Sequence, residues 1–163
     1  MIHLYRVLYF LVILILQFSI FPRFWTGLFE PDLLLATVIL LGLMNSGEMA
    51  CIAGFFLGIL ADVNAGVILG CNAFAWTQVG MATSVVSQQL VVDNPVVQIL
   101  MTGLSCILAG CFEIVFYRIS AVNEPFGRLV LVILTRSMVT ALVAWPLSRI
   151  MIRLKLVSEQ RHA

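Results

Sequence analysis

Charged residues are scarce in this chain of 163 residues: only 10% are Asp, Glu, Lys or Arg, whereas 62% are hydrophobic. An average soluble domain carries about 25% charged residues, and a water-soluble protein of this length could not bury so much apolar side chain. The composition therefore predicts an integral membrane protein with one compact domain over residues 1–163. A net charge of +1, without a basic tract outside the C-terminus, argues against a nucleic-acid partner.

Residues suited to metal binding and to nucleophilic catalysis are also few. The only histidines, His3 and His162, lie at the two ends of the chain, and the four cysteines form no CxxC pair. The cysteines lie in or beside apolar segments, where a free cysteine behaves as a small hydrophobe. Since GxSxG, HExxH and Walker sequences are missing as well, we expect neither an enzyme nor a metal or cofactor site.

Apolar runs separated by Pro, Asn, Asp and Gly predict an all-α, polytopic membrane protein with about six transmembrane helices. No Ala-x-Ala cleavage site follows the first run, so we expect it to be retained as a helix. Pro146 is expected to kink the last helix. The predicted helices cover about residues 4–21, 31–46, 49–62, 73–92, 96–117 and 129–152.

The second and third predicted helices are shorter than the ~20 residues of a typical span. A re-entrant pair, which would leave four true spans, is therefore an alternative for them. Pro31 and Asp32 suit the first turn of the second helix, because a missing N–H is harmless there and a carboxylate meets the positive end of the helix dipole.

The positions of Lys and Arg predict the orientation in the membrane, because cytoplasmic loops carry an excess of these residues. An even number of spans places both termini on one side, and the bias favours the cytoplasm for that side. The terminal segments carry Arg6, Arg149, Arg153, Lys155 and Arg161, and the opposite side carries Arg23, Arg118 and Arg128.

Small residues recur at every fourth position in two stretches. This spacing puts neighbours on one helix face, and small residues there let two helices approach closely in a bilayer. Both faces predict close helix packing; packing within the chain is favoured, and contact with a partner's helix is the alternative. The first face is Ala50, Gly54, Gly58, Asp62, Gly66 and Gly70; the second is Thr102, Cys106 and Gly110.

Three ionisable residues, Asp62, Glu113 and Arg136, fall within predicted helices, all in the outer half of the membrane in the favoured orientation. An unpaired charge is costly in lipid. We therefore predict that Arg136 pairs with Glu113 between the fifth and sixth helices, with Asp62 as a neighbour or rival. Asp62 could equally reach interfacial water, since it lies at a predicted helix end. A proton relay is disfavoured because three groups near one surface form no path across the membrane.

Four stretches together match a known family pattern. They are Leu16-Gln17-Phe18 at the end of the first helix, Glu30-Pro31-Asp32-Leu33-Leu34-Leu35 at the start of the second, Gly54 to Asp62 followed by Gly66 and Leu69-Gly70, and a last helix ending near Trp145-Pro146 before a short basic tail. In these stretches the chain resembles the rod shape-determining membrane proteins of the MreD family.

The resemblance implies a non-enzymatic protein of the bacterial inner membrane. Its implied role lies in the cell-elongation machinery, which maintains rod shape and builds side-wall peptidoglycan. The implied partners are MreC, through helix–helix contact, and MreB and the RodA–penicillin-binding-protein synthase, directly or indirectly. Association with further copies of the same chain, as a homo-oligomer, is a further alternative.

The resemblance further implies a fold similar to the substrate-binding subunit of vitamin ECF transporters. A second function is therefore open: a small-molecule-binding transporter subunit whose polar fourth helix, with Gln78, Ser84 and Gln88, lines a cavity. Similarity of fold is by itself a weak argument for shared function.

Overall fold

The computed structural model describes residues 2–20, 23, 30–44, 46–66, 69–90, 92, 94–119 and 125–154. Within these ranges the regular elements are all helices, which confirms the predicted all-α class. They are α1 (Ile2–Ile15, continued by a π-helical segment Leu16–Ile20), α2 (Leu33–Met44), α3 (Gly47–Ala65), α4 (Cys71–Ser87), α5 (Pro95–Ile119) and α6 (Phe126–Arg153).

Three of the described helices are long and apolar enough to cross a membrane. These are α3, α5 and α6, with 19, 25 and 28 residues. The apolar segments Leu8–Ser19 and Leu33–Met44 are shorter, and α4 has 17 residues. A hydrocarbon core about 30 Å thick takes about 20 helical residues to span. The described chain is therefore a helical membrane protein, and six complete spans remain a prediction.

The prediction of a short third helix is wrong, because α3 is longer than residues 49–62 at both ends. Its start is capped by Ser46, whose side chain accepts a hydrogen bond from the Met49 N–H at 3.5 Å. Its end lies one turn beyond Asp62, where Gly66 adopts a left-handed conformation with φ of 63° and donates its N–H to the Asp62 carbonyl at 3.1 Å. A left-handed glycine is a common way to end a helix.

The fourth helix begins and ends earlier than residues 73–92. After Ser87 the backbone N–H groups of Gln88, Gln89 and Leu90 each bond to the carbonyl three residues before. This tighter pattern replaces the α-helical one, so α4 stops at Ser87. The last helix begins three residues earlier than predicted, directly after Pro125, and continues through Pro146.

The core of the molecule is α2, because all twelve of its residues are buried. It packs against α1, α3, α4, α5 and α6. A helix that is apolar all round belongs inside a bundle, and the sequence of α2 contains a single polar residue, Thr37. The Thr37 hydroxyl donates to the Leu33 carbonyl at 2.8 Å and lies 3.3 Å from the Tyr9 hydroxyl of α1. The surrounding helices carry large apolar side chains on their exposed sides.

Several predicted features lie outside the described residues. They are the loop Pro22 with Trp25-Thr26-Gly27, the turn residues Asn45, Asp93, Asn123 and Glu124, and the basic tail with Lys155 and Arg161.

Candidate functional site

The start of α2 is held by three polar side chains from different parts of the chain. Asp32 caps the helix, since its Oδ1 accepts from the Leu35 N–H at 2.9 Å. The Leu33 N–H donates to Oε1 of Gln17, and the Asp32 N–H donates to Oγ1 of Thr140, both at 2.9 Å. The first N–H groups of a helix lack partners within the helix. These side chains supply the missing partners from within the protein.

Arg136 of α6 bridges two carboxylates. Its Nη2 lies 2.5 Å from Oδ2 of Asp32, and its Nη1 lies 3.6 Å from Oε1 of Glu113 on α5. Asp32 is only 1% exposed, so its charge would be strongly destabilising without a partner. Short hydrogen bonds between ionised groups are stronger than hydrogen bonds between neutral groups. Arg136 therefore links α2, α5 and α6 at one level of the bundle.

Glu113, the predicted partner of Arg136, lies 3.6 Å from it, but the nearer carboxylate is Asp32. Sequence reasoning placed Asp32 in the first turn of the second helix, where it would interact with the helix dipole, and missed both its capping position and its contact with Arg136. One signal could have found it: α2 starts on the same side of the membrane on which α5 ends, so Asp32 lies at the level of Glu113 and Arg136. A carboxylate at this level can cap a helix with one oxygen and bind arginine with the other.

The Asp62 carboxylate serves the start of α4. It accepts hydrogen bonds from the backbone N–H groups of Gly70 at 2.8 Å, Asn72 at 3.0 Å and Ala73 at 3.3 Å. Asp62 is 1% exposed, and a carboxylate at a helix N-terminus meets the positive end of the dipole. Among the ion pairs of the described residues, none joins Asp62 to Arg136. In the structure, Asp62 therefore does not compete with Glu113 for Arg136, contrary to the expected rivalry.

The first small-residue face packs against α4 of the same chain. A Cβ atom on Gly54 would lie 2.7 Å from the Trp76 carbonyl oxygen, and one on Gly58 would collide with the backbone of Ala73. Ala50 is fully buried, and a Cβ on Gly80 of α4 would lie 2.9 Å from the Ala50 carbonyl oxygen. The seam is therefore filled by an intramolecular helix.

Gly66 and Gly70 do not belong to this face, which corrects the predicted ladder. Both have positive φ angles, 63° and 101°, and both lie beyond the ends of helices α3 and α4. A Cβ on either would meet nothing within 4 Å. Both glycines continue the spacing of four residues. Between α3 and α4, however, the backbone needs positive φ angles, which glycine adopts readily, and the small size of the residue is not what matters there.

The second small-residue face packs against α6. Thr102 and Cys106 are buried, and a Cβ on Gly110 would lie 2.5 Å from a side-chain carbon of Ile133. Sequence reasoning missed a polar contact nearby: the Ser148 hydroxyl of α6 donates to Oε1 of Gln98 on α5 at 2.7 Å, in a buried position. These contacts hold α5 and α6 together along most of their length.

A polar cavity of about 290 Å³ lies beside the ion pairs. It is formed where α2 and α4 begin and where α3 and α5 end. Gln78 and Ser84 of α4, and Gln88 directly after it, were predicted to line a cavity, and they do not line this one. Its lining consists of Gln17, Phe18, Glu30, Asp32, Leu34, Ala61, Asn64, Ala65, Asn72, Trp76, Glu113, Tyr117 and Arg136.

Glu30 lies at the edge of this cavity, before the start of α2. Burial raises the pKa of its carboxyl group, Arg136 opposes that rise and Asp32 adds to it. The Glu30 carboxyl group therefore interacts electrostatically with the ion pair of Asp32 and Arg136. Among the described residues, no group of three His, Cys, Asp or Glu side chains is arranged to hold a metal ion.

Long apolar helices around a central buried helix, three of them long enough to cross a bilayer, define a helical membrane protein. The family described as rod shape-determining protein MreD matches residues 2–155, so the chain belongs to the MreD family. Comparison with curated proteins and with solved structures found no match. The implied similarity to the ECF substrate-binding subunit therefore stays a prediction.

Proposed function

We propose that this protein is a non-enzymatic inner-membrane component of the bacterial cell-elongation machinery, required for rod shape and for side-wall peptidoglycan synthesis. The observation that carries the proposal is the family match, which extends over residues 2–155. The described architecture is compatible with this role, because the Gln17, Asp32 and Asp62 side chains serve helix starts and Arg136 links helices. Such a protein would act by presenting a stable surface to partners in the membrane.

MreC is the proposed direct partner, through contact between membrane helices; contact with MreB and with the RodA–penicillin-binding-protein synthase would be direct or indirect. The small-residue seam on α3 is filled by α4, so it is not a surface for a partner. A partner helix would have to pack on exposed apolar side chains. On α3 these include Ile52, 58% exposed, and Phe56, 62% exposed; on α6, Met138 is 69% exposed.

Depletion of the protein in its own host tests the proposed role. We expect cells to lose their rod shape and become round, and we expect a plasmid copy to restore the ratio of cell length to width. Cells that keep their normal shape during depletion, at protein levels below detection on an immunoblot, would contradict the proposal. A vitamin requirement with normal shape would instead support the second candidate, a small-molecule-binding transporter subunit, which the polar cavity favours.

Photo-crosslinking tests the direct contact with MreC. A crosslinking amino acid at Phe56 or Met138 should capture MreC in cells, whereas one at the buried Ala50 should not. If exposed positions around α3, α5 and α6 all fail to capture any protein of the elongation machinery, the contact through membrane helices is refuted. The depletion result would be unaffected, so the two parts of the proposal can fail separately.

The proposed topology places both termini in the cytoplasm, with the ion-pair cluster near the outer surface. It is supported by the even number of described helices and by the distribution of Lys and Arg. Alkaline phosphatase, which is active only outside the cytoplasm, would be inactive when fused after the last residue and active when fused after Ile119. Activity of the C-terminal fusion would invert the proposed orientation.

A further inference from the structure

The polar cavity at the outer end of the bundle has an excess of acidic groups. Glu30, Asp32 and Glu113 line it together with a single cation, Arg136. With all four groups ionised, three negative charges face one positive charge, so the site carries a formal charge of −2. An anion without a cationic group of its own would be repelled, and a cationic group would be attracted.

The carboxylates differ in how fully their oxygens are used in hydrogen bonds and ion pairs. Asp32 uses one oxygen for the Leu35 N–H and the other for Arg136. Glu113 reaches Arg136 at 3.6 Å, which is longer than a charge-assisted hydrogen bond. Glu113 therefore has unused capacity to accept hydrogen bonds, and it lies in the wall of the cavity.

Two further polar side chains that line the cavity, Trp76 and Asn72, point to a ligand independently of charge. Nε1 of Trp76 and Oδ1 of Asn72 are buried and have no hydrogen-bond partner among the described residues. Trp76 is 1% exposed. A buried N–H group without an acceptor is rare and destabilising. One of the two atoms is a donor and the other an acceptor, so a bound molecule that satisfies both needs an acceptor and a donor of its own.

We propose that this cavity binds a small polar molecule that carries a protonated primary amine and an oxygen acceptor. The ammonium group would lie by Glu113 and Glu30, and the oxygen would accept from Trp76 Nε1. A volume of about 290 Å³ corresponds to the small end of ligand pockets, which span about 300–1,000 Å³. A free amino alcohol and the ethanolamine headgroup of a phospholipid share this chemistry. Such binding goes beyond the proposed role in cell shape.

Ethanolamine is the probe for the test, because it combines the two groups in one molecule. The full chain is purified in detergent with Trp25→Phe and Trp145→Phe, which leaves Trp76 as the only tryptophan. We expect a saturable change in Trp76 fluorescence on titration with ethanolamine. Ethylene glycol, which lacks the amine, and n-propylamine, which lacks the oxygen, should each bind at least tenfold more weakly. An equal response to ethylene glycol would overturn the proposal.

Two substitutions locate the binding site. Glu113→Gln should weaken ethanolamine binding at least tenfold. If Glu113→Gln fails to fold, Glu30→Gln is the second variant, because Glu30 lies outside the helices. Glu48→Gln is the matched control, since Glu48 is exposed at the start of α3, away from the cavity lining. Unchanged affinity in a folded Glu113→Gln or Glu30→Gln protein would refute the assigned ammonium position.

Nanodiscs distinguish the two sources of the amine. If the lipid headgroup is the occupant, ethanolamine should change Trp76 fluorescence in phosphatidylglycerol nanodiscs but not in phosphatidylethanolamine nanodiscs, where the site is already filled. If the ligand is soluble, ethanolamine should titrate the site in both. The absence of a saturable response in detergent and in both nanodiscs would mean that the cavity holds water only, and the proposal would be wrong.

Discussion

Asp32 and Arg136 are 104 positions apart in the chain, yet Oδ2 of the first and Nη2 of the second lie 2.5 Å apart. The same carboxylate caps α2 through its other oxygen. One side chain thus satisfies the start of the central helix and neutralises a guanidinium on α6. The burial of Asp32 strengthens both contacts, and Arg136, whose side chain is 35% exposed, also borders the polar cavity.

Removing the guanidinium should be strongly destabilising. Arg136→Gln leaves the buried Asp32 carboxylate without its ionic partner. Breaking a fully buried ion pair typically costs about 3–5 kcal/mol, and an exposed pair contributes about 1 kcal/mol or less. Because the Arg136 side chain is 35% exposed, we expect a loss between these limits. Arg136→Lys should recover only part of the stability, because an ammonium group cannot bridge two carboxylates as a guanidinium does. Reversible unfolding in mixed detergent micelles measures the difference. Arg153→Gln, at the exposed end of α6, is the control, and equal effects at the two positions would contradict the prediction.

Arg136 should be coupled more strongly to Asp32 than to Glu113. In double-mutant cycles, we expect a coupling free energy of about 1–3 kcal/mol between Arg136→Gln and Asp32→Asn. Asparagine is a suitable replacement because it can still cap α2. The cycle of Arg136→Gln with Glu113→Gln should give less than half that value, since the groups are 3.6 Å apart. Equal coupling in the two cycles would show that both carboxylates bind Arg136 alike.

Asp62 should stabilise α4 rather than the ion pairs. Asp62→Ala removes the acceptor for three backbone N–H groups, and hydrogen bonds to a charged group contribute about 1.5–3 kcal/mol each at most. We expect a loss of roughly 2 kcal/mol or more, and a smaller loss for Asp62→Asn, which keeps one acceptor oxygen.

Amide hydrogen exchange identifies where the effect of Asp62→Ala lies. Exchange should increase at Gly70, Asn72 and Ala73, whose N–H groups bond to Asp62. Exchange at the start of α2 should stay unchanged. Increased exchange at the start of α2 alone would contradict the assignment of Asp62 to α4.

The seam between α3 and α4 should tolerate no added side chain. Gly54→Ala places a methyl group 2.7 Å from the Trp76 carbonyl oxygen, so the two helices must separate, and overpacking of this kind costs about 1–3 kcal/mol. Gly103→Ala on α5 is the matched control, because its new methyl group would lie 3.6 Å from the Ala141 Cβ. Thermal unfolding in detergent compares the two, and equal midpoints would refute the close packing at Gly54.

Much of the fold could be predicted from local sequence, because a bilayer imposes strong local rules. Hydrophobic length and turn residues predict where each of the six helices lies, since unsatisfied backbone groups are not tolerated in lipid. The exact ends were less predictable. The end of α3 depends on the left-handed conformation of Gly66 and on where α4 begins. In the sequence, residues 63–66 resemble a turn because they include Asn64 and Gly66.

The sequence by itself determined that this chain is an all-helical membrane protein and that small residues form two packing faces. It also marked Glu113 and Arg136 as groups that need partners, because a charge in lipid is costly wherever the rest of the chain lies. Only the tertiary structure decided that Asp32 is the closest partner of Arg136, that Asp62 serves α4, and that both small-residue faces pack within the chain. Pairing between residues 104 positions apart depends on how the helices are arranged around α2, and the spacing within any one helix contains no information on that arrangement.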